Sequence, residues 1–156
     1  MSHILVAYFS ATGKTGRIAK AAARACGADL FEICPQAPYT AADLNWTDSK
    51  SLSSLEMADT TSRPAIKGPL PDLSGYDTLL LGFPIWWGVE PRAVDTFLDA
   101  VNLSGKRVFG FCTSGGSGSS EAQKRLTGLY PALELQSVKL LYGTSGVENW
   151  IRSLNL

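Results

Sequence analysis

The chain has no excess of charge of either sign: 14 Lys and Arg face 14 Asp and Glu. No net field draws the whole molecule to nucleic acid or to an anionic membrane, so neither is an expected partner. Histidine is nearly absent, with His3 the single copy, and it is expected on the first strand, away from every loop singled out below. A structural place is expected for it. The three cysteines, Cys26, Cys34 and Cys112, are odd in number and form no C-x-x-C. That argues against a disulfide framework or a zinc site and fits a reducing cytoplasm. No apolar stretch approaches membrane-spanning length, and no basic segment with a long apolar core precedes the first strand-like run. A soluble, unexported protein is expected. What the chain does have is 45% hydrophobic content with 18% charge over 156 residues, enough for one well-filled core. Residues 1–156 read as one domain.

Apolar runs and helical patterns alternate. ILVAYF, Ile4 to Phe9, is a continuous run of strand formers, the pattern of a strand buried on both faces. The alanine-rich KTGRIAKAAARAC follows it, with Ile18, Ala22 and Ala25 on one helical stripe. DLFEI, YDTLLLGF, KRVFGFC and LQSVKLLYG supply four more strands, each ended by loop residues. After Glu90, Pro91 suits a first helical position, and Val94, Phe97, Leu98 and Val101 make the stripe of a core-facing helix. Near the end, Ser145 and Glu148 read as a capping box opening a last helix that turns Val147, Trp150, Ile151 and Leu154 inward. DLSGYD and NLSGKR are the same turn chemistry used twice at strand starts.

Between Pro38 and Pro71 the sequence is rich in Ser, Thr, Asp and Pro, with poor helix propensity. A crossover between parallel strands takes a dozen or more residues, so a helix with Leu52 and Leu55 on one side is expected there. Alternating strands and helices predict an open, mostly parallel α/β sheet in three layers.

In such sheets ligands bind beyond the carboxyl ends of the strands, where the strand order reverses. Three unusual loops fall there. The first, SATGKT from Ser10 to Thr15, gathers hydroxyls, a glycine and a helix start, a site for a phosphate. It nearly spells a P-loop, but Tyr8 holds the position of the first glycine and no later strand ends in an acidic residue to organise magnesium. A single terminal monophosphate suits it better than a nucleoside triphosphate. The second, GFPIWWGVEP from Gly82 to Pro91, carries adjacent tryptophans that cannot both point one way; at least one should face a cavity and stack on an aromatic ligand. The third, CTSGGSGSS from Cys112 to Ser120, lets backbone approach a flat ring closely while its amides offer hydrogen bonds.

Together, in this order, the three loops resemble those of the flavodoxins: SATGKT is similar to their Ser/Thr-x-Thr-Gly-x-Thr phosphate loop, GFPIWWG and TSGGSG to their two ring-holding loops. The resemblance runs from Ile4 to the end. It implies a flavodoxin-like three-layer sandwich, a five-stranded parallel sheet in the 2-1-3-4-5 order of flavodoxin, and flavin mononucleotide (FMN) as cofactor. Carried over, Ser10, Thr12, Gly13, Lys14 and Thr15 would bind the phosphate. Pro84, Ile85, Trp86 and Trp87 would line the ring, with Gly88 beside its reactive nitrogen, and Thr113, Ser114, Gly115, Gly116 and Ser117 would hold the pyrimidine edge. No protein acid or base is expected, because the flavin itself performs the electron chemistry.

Three features depart from the flavodoxin pattern. The chain is neutral where those carriers are strongly acidic, Lys14 places a cation at the phosphate loop, and the third loop has Gly115, Gly116 and Gly118 where an aromatic residue often covers the ring. The expected function is low-potential electron transfer between redox partner proteins. The alternative is an NAD(P)H-dependent quinone reductase of the flavodoxin-like type.

Overall fold

The computed structural model describes residues 3–156. The reading that no leader precedes the first strand involves Met1 and Ser2, which lie outside the described residues. Five parallel strands form one sheet: β1 (Ile4–Tyr8), β2 (Asp29–Glu32), β3 (Thr78–Pro84), β4 (Arg107–Thr113) and β5 (Glu134–Leu140). Their spatial order is β2-β1-β3-β4-β5, as the flavodoxin resemblance implies. The helices are α1 (Lys14–Cys26), α2 (Leu52–Ala58), α3 (Arg92–Ala100), α4 (Ser120–Leu129) and α5 (Val147–Ser153). None is long and apolar enough to cross a membrane among the described residues.

The central strands read as continuous apolar runs because both faces are covered. In β1, Leu5 and Ala7 join Leu79, Leu81, Val94, Phe97 and Leu126 in one core. Ile4, Val6 and Tyr8 join Ile18, Ala22, Trp150 and Ile151 in the other. Successive side chains point to opposite faces, so one strand feeds both layers. Each fully buried Leu or Phe contributes on the order of 1.5–3 kcal/mol, which is why the buried central strands dominate stability. On the α1 side the buried stripe is Thr15, Gly16, Ile18, Ala19, Ala22 and Ala23, while Ala25, in the last turn, is exposed.

Aromatic rings crowd the backbone at two glycines. A Cβ on Gly82 would sit 2.2 Å from Cζ of Phe111, and one on Gly16 would meet Tyr8 Cε2 at 3.3 Å. Tyr8, the residue that breaks the P-loop pattern, thus has its ring against the start of α1.

The structure corrects four details. In α2, Leu52 and Leu55 point outward and Ser53, Glu56 and Met57 are buried. The inward face is polar because it has polar partners: Tyr39 Oη donates to Glu56 Oε1 at 2.5 Å. Pro91 is the residue before α3 rather than its first turn. Ser145 forms no side-chain cap, because Thr144–Gly146 is a 3₁₀ turn leading into α5. His3 precedes β1 and is exposed; its backbone carbonyl accepts from the amides of Asp77 and Thr78.

Candidate functional site

The reversal of strand order between β1 and β3 brings the three loops together. A cleft of about 220 Å³ is walled by Ala11, Thr12, Lys14, Thr15, Leu44 and Pro84, with Ile85, Trp86, Thr113, Ser114 and Gly115 beside it. It shares Leu44, Ile85, Trp86, Ser114 and Gly115 with a wider pocket of about 620 Å³ that adds Trp46, Ser53, Trp87, Gly116 and Ser117. A larger hollow of about 760 Å³ between β5 and α5 contains no residue of the three loops.

The first loop is organised by its own serine. Ser10 Oγ accepts from the amides of Gly13 and Gly16, both at 3.1 Å. Gly13, at φ 93°, turns the chain into α1 with no side-chain cap. The amides of Thr12, Lys14 and Thr15 donate to no protein acceptor among the described residues. Unpaired N–H groups at the positive end of a 13-residue helix, with exposed Lys14 beside them, favour an anion. Thr15 is buried, and its Oγ1 lies 2.8 Å from Oγ1 of Thr113, tying the first loop to the third. Ser10 and Gly13 therefore shape the loop from within and do not line the cleft.

The two tryptophans diverge. Trp86 packs edge-on against Phe9 and Tyr39, each with ring centres 5.5 Å away. Trp87 keeps 51% of its surface exposed at the wide pocket. A tight turn separates them from α3: Trp86 and Val89 exchange both backbone bonds, at 2.9 and 3.1 Å. Trp87 has φ 51° and Gly88 φ 85°. Two successive left-handed residues match a type I′ turn, and at Trp87 that costs on the order of 1 kcal/mol. Gly88 bounds the turn without lining either pocket.

In the third loop, Thr113 ends β4 and its carbonyl accepts from Ile85 N at 2.7 Å, holding the second loop to the third. Ser114 Oγ accepts from Gly116 N at 3.1 Å. Gly115, Gly116 and Ser117 are exposed and line the wide pocket. Burial pushes the nearby Cys112 thiol up to about 12, so it is not a nucleophile at neutral pH.

Sequence reasoning missed one whole wall. Leu44, Trp46 and Ser53 come from the β2–β3 crossover, whose polar composition gave no sign of a pocket. The signal was its excess length, together with a tryptophan in an otherwise polar stretch. The wall is fixed by buried charge: Arg92 donates to the carbonyls of Glu56, Met57 and Asp59 at 3.1–3.3 Å, closing the end of α2. Beside it, Arg125 of α4 pairs with Glu90 and, at 3.2 Å, with Asp95. Glu90 and Asp95 are fully buried, so this cluster joins the base of the second loop, α3 and α4.

A flavodoxin family model matches residues 3–154. A protein from Bacteroides uniformis, classed provisionally as a flavoprotein, is 46% identical over 97% of this chain and 98% of its own, with a TM-score of 0.94. A second, from Bacteroides eggerthii and classed likewise, is 42% identical over 100% of this chain and 99% of its own, again at 0.94. A flavoprotein from Lactobacillus acidophilus, determined in complex with FMN, shares the fold at 22% identity over 96% and 99% of the two chains, with a TM-score of 0.76. No protein among those of curated function matches. With the strand order, the loop geometry and a family match across nearly its whole length, this chain belongs to the flavodoxin family.

Proposed function

We propose that this chain binds FMN along the cleft and pocket and carries electrons between redox proteins. One observation carries the reading: Thr12, Lys14 and Thr15, whose amides are unpaired among the described residues, line a cleft that adjoins a pocket faced by exposed Trp87. The residues present fit the cofactor. The α1 start suits a dianionic phosphate, the apolar Ile85 and Trp87 suit a flat ring, and the backbone of Ser114 to Ser117 suits its polar edge. When bound, FMN supplies the electron chemistry. The chain holds and shields it: Thr12 and the helix amides take the phosphate, with Lys14 adding charge. The Gly88 amide, which follows Trp87 and has no protein acceptor among the described residues, would be free to donate to the cofactor.

The bare third loop favours a second reading, an NAD(P)H-dependent quinone reductase, because it sends no side chain larger than serine over the ring pocket. A visible spectrum during stepwise anaerobic reduction, followed by addition of NAD(P)H and a quinone, separates the two. Reduction in two resolved one-electron steps with indifference to NAD(P)H supports the carrier. Prompt two-electron reduction by NAD(P)H with turnover on quinone supports the reductase. Failure of the purified chain to take up FMN sinks both. Thr12→Ala should weaken FMN binding sharply, and it is the cleaner variant because Thr15→Ala also breaks the bond to Thr113.

A further inference from the structure

Trp46 leaves 73% of its surface in water, more than either tryptophan of the second loop. A loose segment does not explain this. Thr40 and Asp43 cap one another reciprocally, with Thr40 N donating to Asp43 Oδ2 at 2.9 Å and Asp43 N donating to Thr40 Oγ1 at 3.1 Å. Leu44 N returns to the Thr40 carbonyl at 3.1 Å, and Thr47 N and Oγ1 both donate to Asn45 Oδ1, at 3.2 and 2.6 Å. Ser53 N then donates to the Asp43 carbonyl at 3.0 Å, fastening this turn to the start of α2. The backbone on both sides of Trp46 is tied down while its indole, a large apolar surface, is kept in solvent. Folding alone gains little from that placement.

The placement has a use in the pocket. Trp46 and Trp87 line the same 620 Å³ space, which adjoins the anion cleft and shares Leu44, Ile85, Trp86, Ser114 and Gly115 with it. On that space the third loop contributes only Ser114, Gly115, Gly116 and Ser117, none with a flat face. We propose that Trp46 is a ring-holding residue of this chain, contributing from the β2–α2 crossover the second aromatic surface that the third loop does not carry. This rests on the FMN reading above and extends it to a residue outside the three loops. It also bears on function, since an indole over the second face occupies the side that a reductase leaves to its substrate.

The test is the affinity of the apoprotein for FMN, followed by flavin emission, in wild type, Trp46→Ala and Trp46→Phe. Stacking of a flat ring on an aromatic side chain contributes enough for Trp46→Ala to raise the Kd by about tenfold or more. Trp46→Phe should recover most of that loss. The flavin bound to Trp46→Ala should emit more brightly than in wild type, because an indole in contact quenches it, and a merely structural residue would not move that signal. Apoprotein melting should be unchanged, since the side chain makes little packing in the free chain. If wild type binds FMN and Trp46→Ala matches it in both Kd and emission, this inference falls and the FMN reading stands. A Kd loss that Trp46→Phe does not reduce overturns the stacking role as well. If wild type binds no FMN, the FMN reading falls and takes this with it.

Discussion

Replacing Arg92 by Leu should cost this protein far more than replacing a solvent-exposed arginine. Arg92 is 2% exposed at the start of α3, directly after the second loop, yet its partners lie more than thirty residues earlier. Nε donates to the carbonyls of Glu56 and Asp59 at 3.3 and 3.2 Å, and Nη2 to that of Met57 at 3.1 Å. Glu56 and Met57 lie in the last turn of α2 and Asp59 is its C-cap, where the helix runs out of its own amides; those of Asp59 and Ser62 reach the Glu56 and Asp59 carbonyls at 3.2 and 3.1 Å, and Arg92 supplies the further donor. Hydrogen bonds from a charged donor contribute about 1.5–3 kcal/mol each, so three would sum to a large figure. Two facts lower it: the bonds are long, and Nη1 has no hydrogen-bond partner, with Asp95 Oδ2 at 3.8 Å. We therefore expect a loss near that of breaking a buried pair, about 3–5 kcal/mol. That is a large share of a typical stability of about 5–15 kcal/mol. Arg63→Ala is the control. Its 2.6 Å bond to Asp99 is shorter than any of these, but the two side chains are 31% and 48% exposed. Solvent screening limits it to about 1 kcal/mol or less. Urea denaturation of the two apoproteins measures both, and FMN affinity should fall in Arg92→Leu alone as the Leu44–Trp46–Ser53 wall loosens. Equal losses in the two variants, or a loss in Arg92→Leu below about 1 kcal/mol, would refute the reasoning.

Two further predictions concern the core and the buried charge cluster. Burial pushes the Asp95 carboxyl up to about 6, although the Tyr130 hydroxyl donates to it and Arg63 and Arg92 lie near. Arg125 faces it from α4, and Glu90 shares that guanidinium. Because its folded pKa lies above the unfolded value, the group favours the folded state most below about pH 4, and that contribution is lost as the pH rises through about 6. Compared with Asp95→Asn across a pH series of denaturation curves, wild type should lose ground between these limits; parallel curves would show that the carboxyl ionises freely. Gly82→Ala forces a Cβ to 2.2 Å from the Phe111 ring. Overpacking of this kind costs about 1–3 kcal/mol, which should lower the Tm by several degrees, and a calorimetric scan unchanged from wild type would refute that contact.

Much of the fold was legible because its signals are local. Five short strand-like runs alternating with helical patterns announce a parallel sheet, the continuous apolar run of β1 announces a strand buried on both faces, and α1 begins and ends where its flanking glycines place it. The three loops were legible for a related reason. Hydroxyls with glycine at a helix start, paired tryptophans and a Ser/Gly run are compositions that ordinary core packing does not call for. The buried polar face of α2 was not legible. Leu52 and Leu55 read as the inward residues because periodicity counts hydrophobicity and cannot see that Tyr39 and Arg92 supply partners for Glu56 and its neighbours. The capping box at Ser145 failed likewise, since the 3₁₀ turn before α5 depends on how the chain leaves β5.

The sequence by itself determined the zero net charge, which is a sum over residues, and the alternation of strands and helices and the chemistry gathered at the ends of β1, β3 and β4, because these depend on residues close in the chain. Only the tertiary structure decided that Trp86 turns down onto Phe9 and Tyr39 while Trp87 faces the pocket. It alone decided that Thr15 spends its hydroxyl on Thr113 and that a polar crossover closes the site with Leu44, Trp46 and Ser53. These outcomes depend on contacts between residues tens of positions apart, and no local pattern encodes which buried groups will find one another once the sheet has formed.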